Sequence, residues 1–263
     1  MTFNFFKYQA TGNDFIVIDN RQNQFVKNDT KLFAKLCDRR FGIGADGLIL
    51  LENTSDFDFK MIYFNADGRE STMCGNGGRC IVHFANFLGI INKKTRFLAI
   101  DGAHEATIEN QQVALKMCDV LKVNHIDSVV VLNTGSPHYV TFLKDIDKLN
   151  VADEGAKIRY SPNYIEEGIN VNFVEQVDTE LFAIRTYERG VEDETLSCGT
   201  GATAAAIALY ATHRTNSRRI KLLSKGGHLE VKFENTNGNF TDIWLTGPAQ
   251  KVFHGTYTTT KKI

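Results

Sequence analysis

Cysteine is scarce in this chain: five residues in 263, at positions 37, 74, 80, 118 and 198. An odd, dispersed set excludes the disulfide framework of a small secreted protein. Each thiol must therefore be read as core filler, metal ligand or catalyst. There are only three prolines and no low-complexity stretch, so nothing marks a flexible linker. No run approaches the ~20 consecutive apolar residues that cross a bilayer. The opening MTFNFFKYQATGNDF lacks the basic start and apolar stretch of a signal peptide. A membrane partner is not expected, and the cytoplasm is the expected compartment. Neither charge sign dominates, with 30 Lys and Arg against 31 Asp and Glu for a net −1, and only Lys261 and Lys262 form a small basic tail. That balance argues against nucleic acid as the main partner.

What remains is an ordinary globular composition, 43% hydrophobic and 23% charged, able to fill a core. The length allows one large domain or two smaller ones. Short β-branched and aromatic runs punctuated by Gly, Asn and Asp predict strands at 15–19, 47–51, 57–65, 96–99, 106–108 and 113–117. The same texture returns at 129–132, 139–142, 171–176, 181–185, 219–223, 228–233 and 242–245. Helices are expected at 29–40, 77–88 and 201–212. Many strands in antiparallel-looking meanders with few helices point to an α+β class.

The chain repeats itself at long range. Thr11-Gly12-Asn13 and Thr134-Gly135-Ser136 each precede a strand, 123 residues apart (134 against 11). Cys74-Gly75-Asn76-Gly77 and Cys198-Gly199-Thr200-Gly201 each open a helix, 124 apart (198 against 74). Asn65 and Glu188, ahead of the two cysteines, are again 123 apart. A duplication of this period predicts two similar lobes related by a pseudo-two-fold rather than a solenoid. The boundaries are expected at 1–117 and 118–248, with a C-terminal strand at about 249–263 returning to the first lobe.

Each half thus places a cysteine before Gly-x-Gly at a helix start. The glycines permit a tight turn, and the orphan N–H groups and partial positive charge of a helix N-terminus hold anions. The same field favours a thiolate. Two such cysteines at matching positions suggest a pair facing each other across a cleft, one removing a Cα proton and the other returning one to the opposite face. The helix ends would hold the α-carboxylate as negative charge grows. No lysine stands in an evident Schiff-base setting, so no cofactor is expected, and no metal.

The strings Gly12-Asn13-Asp14-Phe15, Gly42-Ile43-Gly44-Ala45-Asp46-Gly47, Asn65-Ala66-Asp67-Gly68, Met73-Cys74-Gly75-Asn76-Gly77-Gly78-Arg79-Cys80, Tyr187-Glu188-Arg189-Gly190 and Ser197-Cys198-Gly199-Thr200-Gly201-Ala202 resemble the diaminopimelate epimerase family. The resemblance runs from residue 3 to about Gly255. It implies an epimerase that interconverts LL- and meso-diaminopimelate, a step toward lysine and peptidoglycan, with Cys74 and Cys198 as the two bases. It implies that His138 and Glu188 assist beside the thiols. Asn13, Asn65, Asn170 and Arg189, with Glu188, would bind substrate, while Gly75, Asn76, Gly199 and Thr200 grip the reacting carboxylate. It further implies two pseudo-symmetric β-rich lobes, each wrapping a central helix, and a homodimer. The chain departs from the family pattern at Ser136, at Gly47, where some members carry a larger polar residue, and at Thr200, where serine is common.

Other readings attach to the same residues. Cys37, Cys80 and Cys118 are expected in the core. A zinc site from Cys74, Cys80 and His83 lacks any common ligand spacing, and Gly42-Ile43-Gly44 lacks the ending of a phosphate loop. A proline-type racemase would keep both thiols but not the set of polar residues. A cysteine hydrolase using His138 would leave one cysteine unexplained.

Overall fold

The computed structural model describes residues 1–259; the basic tail at Lys261 and Lys262 lies outside the described residues. The chain forms two compact units, Met1–Leu115 with the chain from Pro248, and Lys116–Gly247.

In the first unit the strand Gln250–Thr258 pairs antiparallel with Thr2–Ala10, and Thr2–Ala10 with Asn13–Asp19. Thr11 and Gly12 make the turn between the latter two with φ of 47° and 87°, the left-handed backbone that a two-residue hairpin turn requires. Asn13–Asp19 continues parallel to Gly47–Glu52, which lies antiparallel to Phe59–Asn65. Phe59–Asn65 pairs with both Glu70–Ser71 and, in parallel, Lys94–Ala99. The meander ends with Gly102–Glu109 and Gln112–Lys116.

The second unit repeats that order strand for strand. Val123–Ile126, Val129–Asn133, Pro137–Phe142, Asn170–Asp178 and Leu181–Glu188 follow one another with the same parallel and antiparallel senses. Leu181–Glu188 again pairs with a short strand, Asp193–Thr195, and in parallel with Arg219–Ser224. Gly227–Thr236 and Asn239–Pro248 complete it. The sequence duplication is therefore a duplication of topology.

Each sheet wraps one helix. Of the helices α1 (Thr30–Cys37), α2 (Gly75–Phe87), α3 (Val151–Arg159) and α4 (Gly199–Ala211), α2 and α4 are the central pair. Strands from across each sheet pack against its helix. The segment Thr203–Leu209 of α4 is buried on every side, which is why its sequence is alanine-rich and apolar all round: small side chains let surrounding strands approach from every direction. No helix among the described residues is long and apolar enough to cross a membrane.

Cys37 and Cys80 lie in the core as expected, whereas Cys118 is exposed. Around Cys118 the chain is extended, and the bridge from Val120 to Phe240 turns Val120 inward, leaving Cys118 and Asp119 to solvent. The strand Thr2–Ala10, helix α3 and the strand Val123–Ile126 were not anticipated.

Candidate active site

In the first unit Cys74 caps α2. Its backbone is extended (φ −94°, ψ 146°), its carbonyl accepts the Gly78 N–H at 2.8 Å, and its Sγ accepts the Gly77 N–H at 3.2 Å. A sulfur acting as the helix cap is held where the partial positive charge of the helix is strongest. A Cβ at Gly77 would come 3.1 Å from that Sγ, so a side chain there would press the sulfur out of its place.

The polar residues around it form one chain of bonds. Asn76, almost wholly buried, donates Nδ2 to Asn13 Oδ1 at 3.4 Å, and Asn13 donates Nδ2 to Asp46 Oδ2 at 2.6 Å. Asp46 is held in turn by Arg39 at 2.7 Å, which also pairs with Asp14 at 2.6 Å, and Lys7 closes on Asp14 at 2.6 Å. Burial pushes the Asp14 carboxyl up, but the hydrogen bonds of Arg39 and Lys7 prevail and hold it well below the usual carboxylate range. Asn65 stands exposed at the end of its strand, directly opposite Gly47. A Cβ at Gly47 would lie 2.6 Å from both the Phe64 carbonyl oxygen and the Tyr63 Cε2, so the Tyr63 ring fills the space a larger residue would need.

In the second unit Cys198 caps α4 with φ −122° and ψ 115°, its carbonyl accepting the Ala202 N–H at 2.9 Å. Here the sulfur meets the Thr200 hydroxyl at 3.4 Å. Thr134, from the repeated Thr-Gly turn, donates its hydroxyl to the Thr200 carbonyl at 2.9 Å and so ties that turn to the helix start.

His138 is fully buried, and its Nδ1 lies 3.1 Å from Asn172 Nδ2. Because the Asn172 amide nitrogen can only donate, Nδ1 accepts and the proton is assigned to Nε2. Nε2 has no hydrogen-bond partner among the described residues. Burial, helped by the Arg189 charge, pushes the imidazole down to about 3, so it is neutral at physiological pH. Glu188 behaves oppositely: burial raises its carboxyl pKa, only partly offset by the Thr195 hydroxyl that donates to it at 3.0 Å. A carboxyl raised by desolvation belongs to the class of groups that handle protons.

The amide of Asn170 is committed within the unit. Its Nδ2 donates to Ser136 Oγ at 2.7 Å and the Pro137 carbonyl at 2.9 Å, while its Oδ1 accepts the Arg189 N–H at 2.9 Å. It thereby anchors the turn that carries Arg189, whose guanidinium donates to the Glu167 carbonyl at 2.9 Å. The serine at 136 thus has a defined role as the acceptor for Asn170.

The zinc alternative finds no support in the geometry. Cys80 is buried in the core, and His83 Nδ1 pairs with the Tyr8 hydroxyl at 3.3 Å. Among the described residues no three His, Cys, Asp or Glu side chains converge on a metal position.

Several residues at these sites escaped the sequence reading: Asp46, Arg79, Asn172 and Thr195. Asn172 left a signal, since Asn170 and Asn172 share one face of the buried first half of their strand, where the other residues are apolar. Arg79 left one as well, being the lone charge in the first turns of a buried glycine-rich helix.

The profile of the diaminopimelate epimerase family matches residues 5–123 and again 130–252, the two halves of the duplication. A diaminopimelate epimerase of Flavobacterium psychrophilum is 61% identical over 95% of this chain and 98% of its own length. That of Chlorobaculum tepidum is 44% identical over 95% and 99%. Among solved structures, a PhzF-family phenazine biosynthesis protein of Bacillus anthracis superposes with a TM-score of 0.77 at 13% identity, covering 98% of this chain and all of that one. A probable proline racemase of Agrobacterium radiobacter superposes with 0.66 at 15% identity, covering 98% and 93%. Identities so low speak for the shared fold alone, whereas the profile match and the close relatives decide the family. This chain belongs to the diaminopimelate epimerase family.

Proposed function

We propose that this chain interconverts LL- and meso-diaminopimelate without a cofactor, with Cys74 and Cys198 as the two bases. The observation that carries the reading is the pair of cysteines capping α2 and α4 at matching positions of two units of equal topology. The thiolate on one side removes the α-proton while the thiol on the other donates one to the opposite face. The roles exchange for the opposite configuration. The first N–H groups of each helix, at Gly75 and Asn76 and at Gly199 and Thr200, receive the α-carboxylate as charge grows on it.

His138, held neutral by burial, and Glu188, whose carboxyl burial pushes up, assist beside the thiols. The Nε2–H of His138 is a buried donor suited to a thiolate or a substrate oxygen. Asn13, Asn65 and Arg189 bind the distal amino-acid end, with Asn170 fixing the Arg189 turn. A homodimer belongs to the same reading. Among the described residues Gln250–Thr258 pairs only with Thr2–Ala10, and it exposes Val252 and Phe253 at an edge that a second copy could cover.

The test is isomer analysis of LL-diaminopimelate incubated with the reduced protein. The meso isomer is expected from wild type, and each of Cys74→Ala and Cys198→Ala should lose at least ~10²-fold, the range of general acid–base groups. No meso isomer, or full activity with one thiol removed, would overturn the reading.

A further inference from the structure

Helix α2 carries an arginine that the chemistry above does not use. Arg79 is fully buried. Its Nε donates to the Pro248 carbonyl at 3.3 Å, Nη1 to the Gly75 carbonyl at 3.3 Å, and Nη2 to Thr11 Oγ1 and Asn76 Oδ1, both at 2.9 Å. All these acceptors are neutral. A cation removed from water without an anionic partner is costly, which ordinarily drives such a group to find one or to lose its proton. Burial does push the guanidinium down, to about 10, while the neighbouring thiols of Cys80 and Cys74 act in the other direction. At neutral pH the charge is retained.

Of those two thiols, only one can be the counter-ion. Cys80 is fully buried, and desolvation pushes it far up, so it stays protonated. Cys74 is half-buried and accepts an N–H at its sulfur. Several other charged groups on α2 and on the strands packed against it have partners of their own. Lys7 pairs with Asp14, His83 with Tyr8, His104 with Asp101 at 3.2 Å, and Glu105 with Arg96 at 4.0 Å. Lys251 lies over the Phe87 ring, at the opposite end of α2 from Cys74.

The matching position in α4, five residues after Cys198, is Thr203. Its hydroxyl donates to the Gly199 carbonyl at 3.0 Å, as Arg79 Nη1 donates to that of Gly75, but it brings no charge. The two halves share a helix-start hydrogen bond and differ by one buried cation.

We propose that Arg79 is a positioning residue for the Cys74 half of the site: its buried guanidinium is the counter-ion of the Cys74 thiolate and fixes the Asn76 amide, so that Cys74, and not Cys198, is the thiolate of the resting enzyme. With Asn76 Oδ1 taken by Arg79, its Nδ2 is turned toward Asn13. The inference rests on the assignment of Cys74 and Cys198 as the two bases.

The experiment is alkylation of the reduced full chain by iodoacetamide across about pH 5 to 10, with each cysteine quantified by peptide mass spectrometry. Wild type should alkylate Cys74 with a lower pH midpoint than Cys198. Arg79→Met should move the Cys74 midpoint up by about one pH unit or more, the effect of removing an opposite charge from a thiolate. It should leave the Cys198 midpoint in place. Arg79→Lys, which keeps the charge, should stay near wild type, a rescue that a purely structural role does not predict. A folded Arg79→Met protein with an unmoved Cys74 midpoint overturns the proposal. So does a wild type in which Cys198 titrates first or together with Cys74, and this arm holds even if Arg79→Met does not fold. Alkylation is read without turnover: failure to epimerise sinks the function alone, and active enzyme with equal thiols sinks the Arg79 assignment alone.

Discussion

His138 is neutral because burial holds its imidazole at about 3 against an ordinary 6.5, with Arg189 adding to the effect and the Asn172 hydrogen bond opposing it. Between those two values the unfolded chain binds a proton that the folded chain refuses. Stability from this residue is therefore full above about pH 6.5 and is lost progressively as pH falls toward 3. His138→Gln removes that linkage. Chemical denaturation of both proteins should show the wild-type advantage shrinking as pH falls from about 7 to about 4; an advantage constant over that range contradicts the assignment. At this scale the sequence spoke clearly where chemistry and backbone coincide. Cys74 and Cys198 stand out because glycines and a helix start follow each of them in duplicate. Asp46, Asn172 and Thr195 act by orienting other residues, and nothing in a single chain announces that a side chain has its partner on a neighbouring strand or loop.

The helices show what periodicity can and cannot convey. α1 lies within the stretch expected for it, while α2 and α4 overlap theirs but each begin two residues earlier. Helix α3 was missed because Gly155 interrupts its pattern. That glycine is needed because any side chain there would collide with Tyr187, on the strand the helix covers. The Asn150 side chain, accepting the Asp153 N–H at 3.3 Å, was the available cue to its start. Thr2–Ala10 was missed for a different reason: one of its partners, Gln250–Thr258, lies at the far end of the chain. In α4 the alanines are a packing requirement as well as a helix preference. Ala205 is fully buried amid strands on all sides, so Ala205→Leu should cost about 1–3 kcal/mol in urea unfolding by overpacking. A variant as stable as wild type would mean that α4 is not tightly enclosed.

For the whole molecule the duplication was the most legible feature, because two copies of a topology must repeat their turns and helix starts at one offset. Strand order was not legible: parallel neighbours such as Asn13–Asp19 and Gly47–Glu52 are joined by long crossovers that no local signal specifies. Assembly is likewise a property of surfaces. Sedimentation of the full chain should give a dimer, and Phe253→Glu on the exposed strand should shift it toward monomer; a wild-type monomer at micromolar concentration contradicts the assembly.

The central claim is that two bases act on one carbon, and isotope placement reads it directly. LL-diaminopimelate is turned over by the reduced enzyme in D₂O to low conversion, and proton NMR follows both isomers. Two thiols acting in turn predict deuterium at the inverted α-carbon of the meso product and protium retained in the remaining LL substrate. Deuterium appearing equally in recovered LL substrate would mean that a single base removes and returns the proton, and would contradict the account.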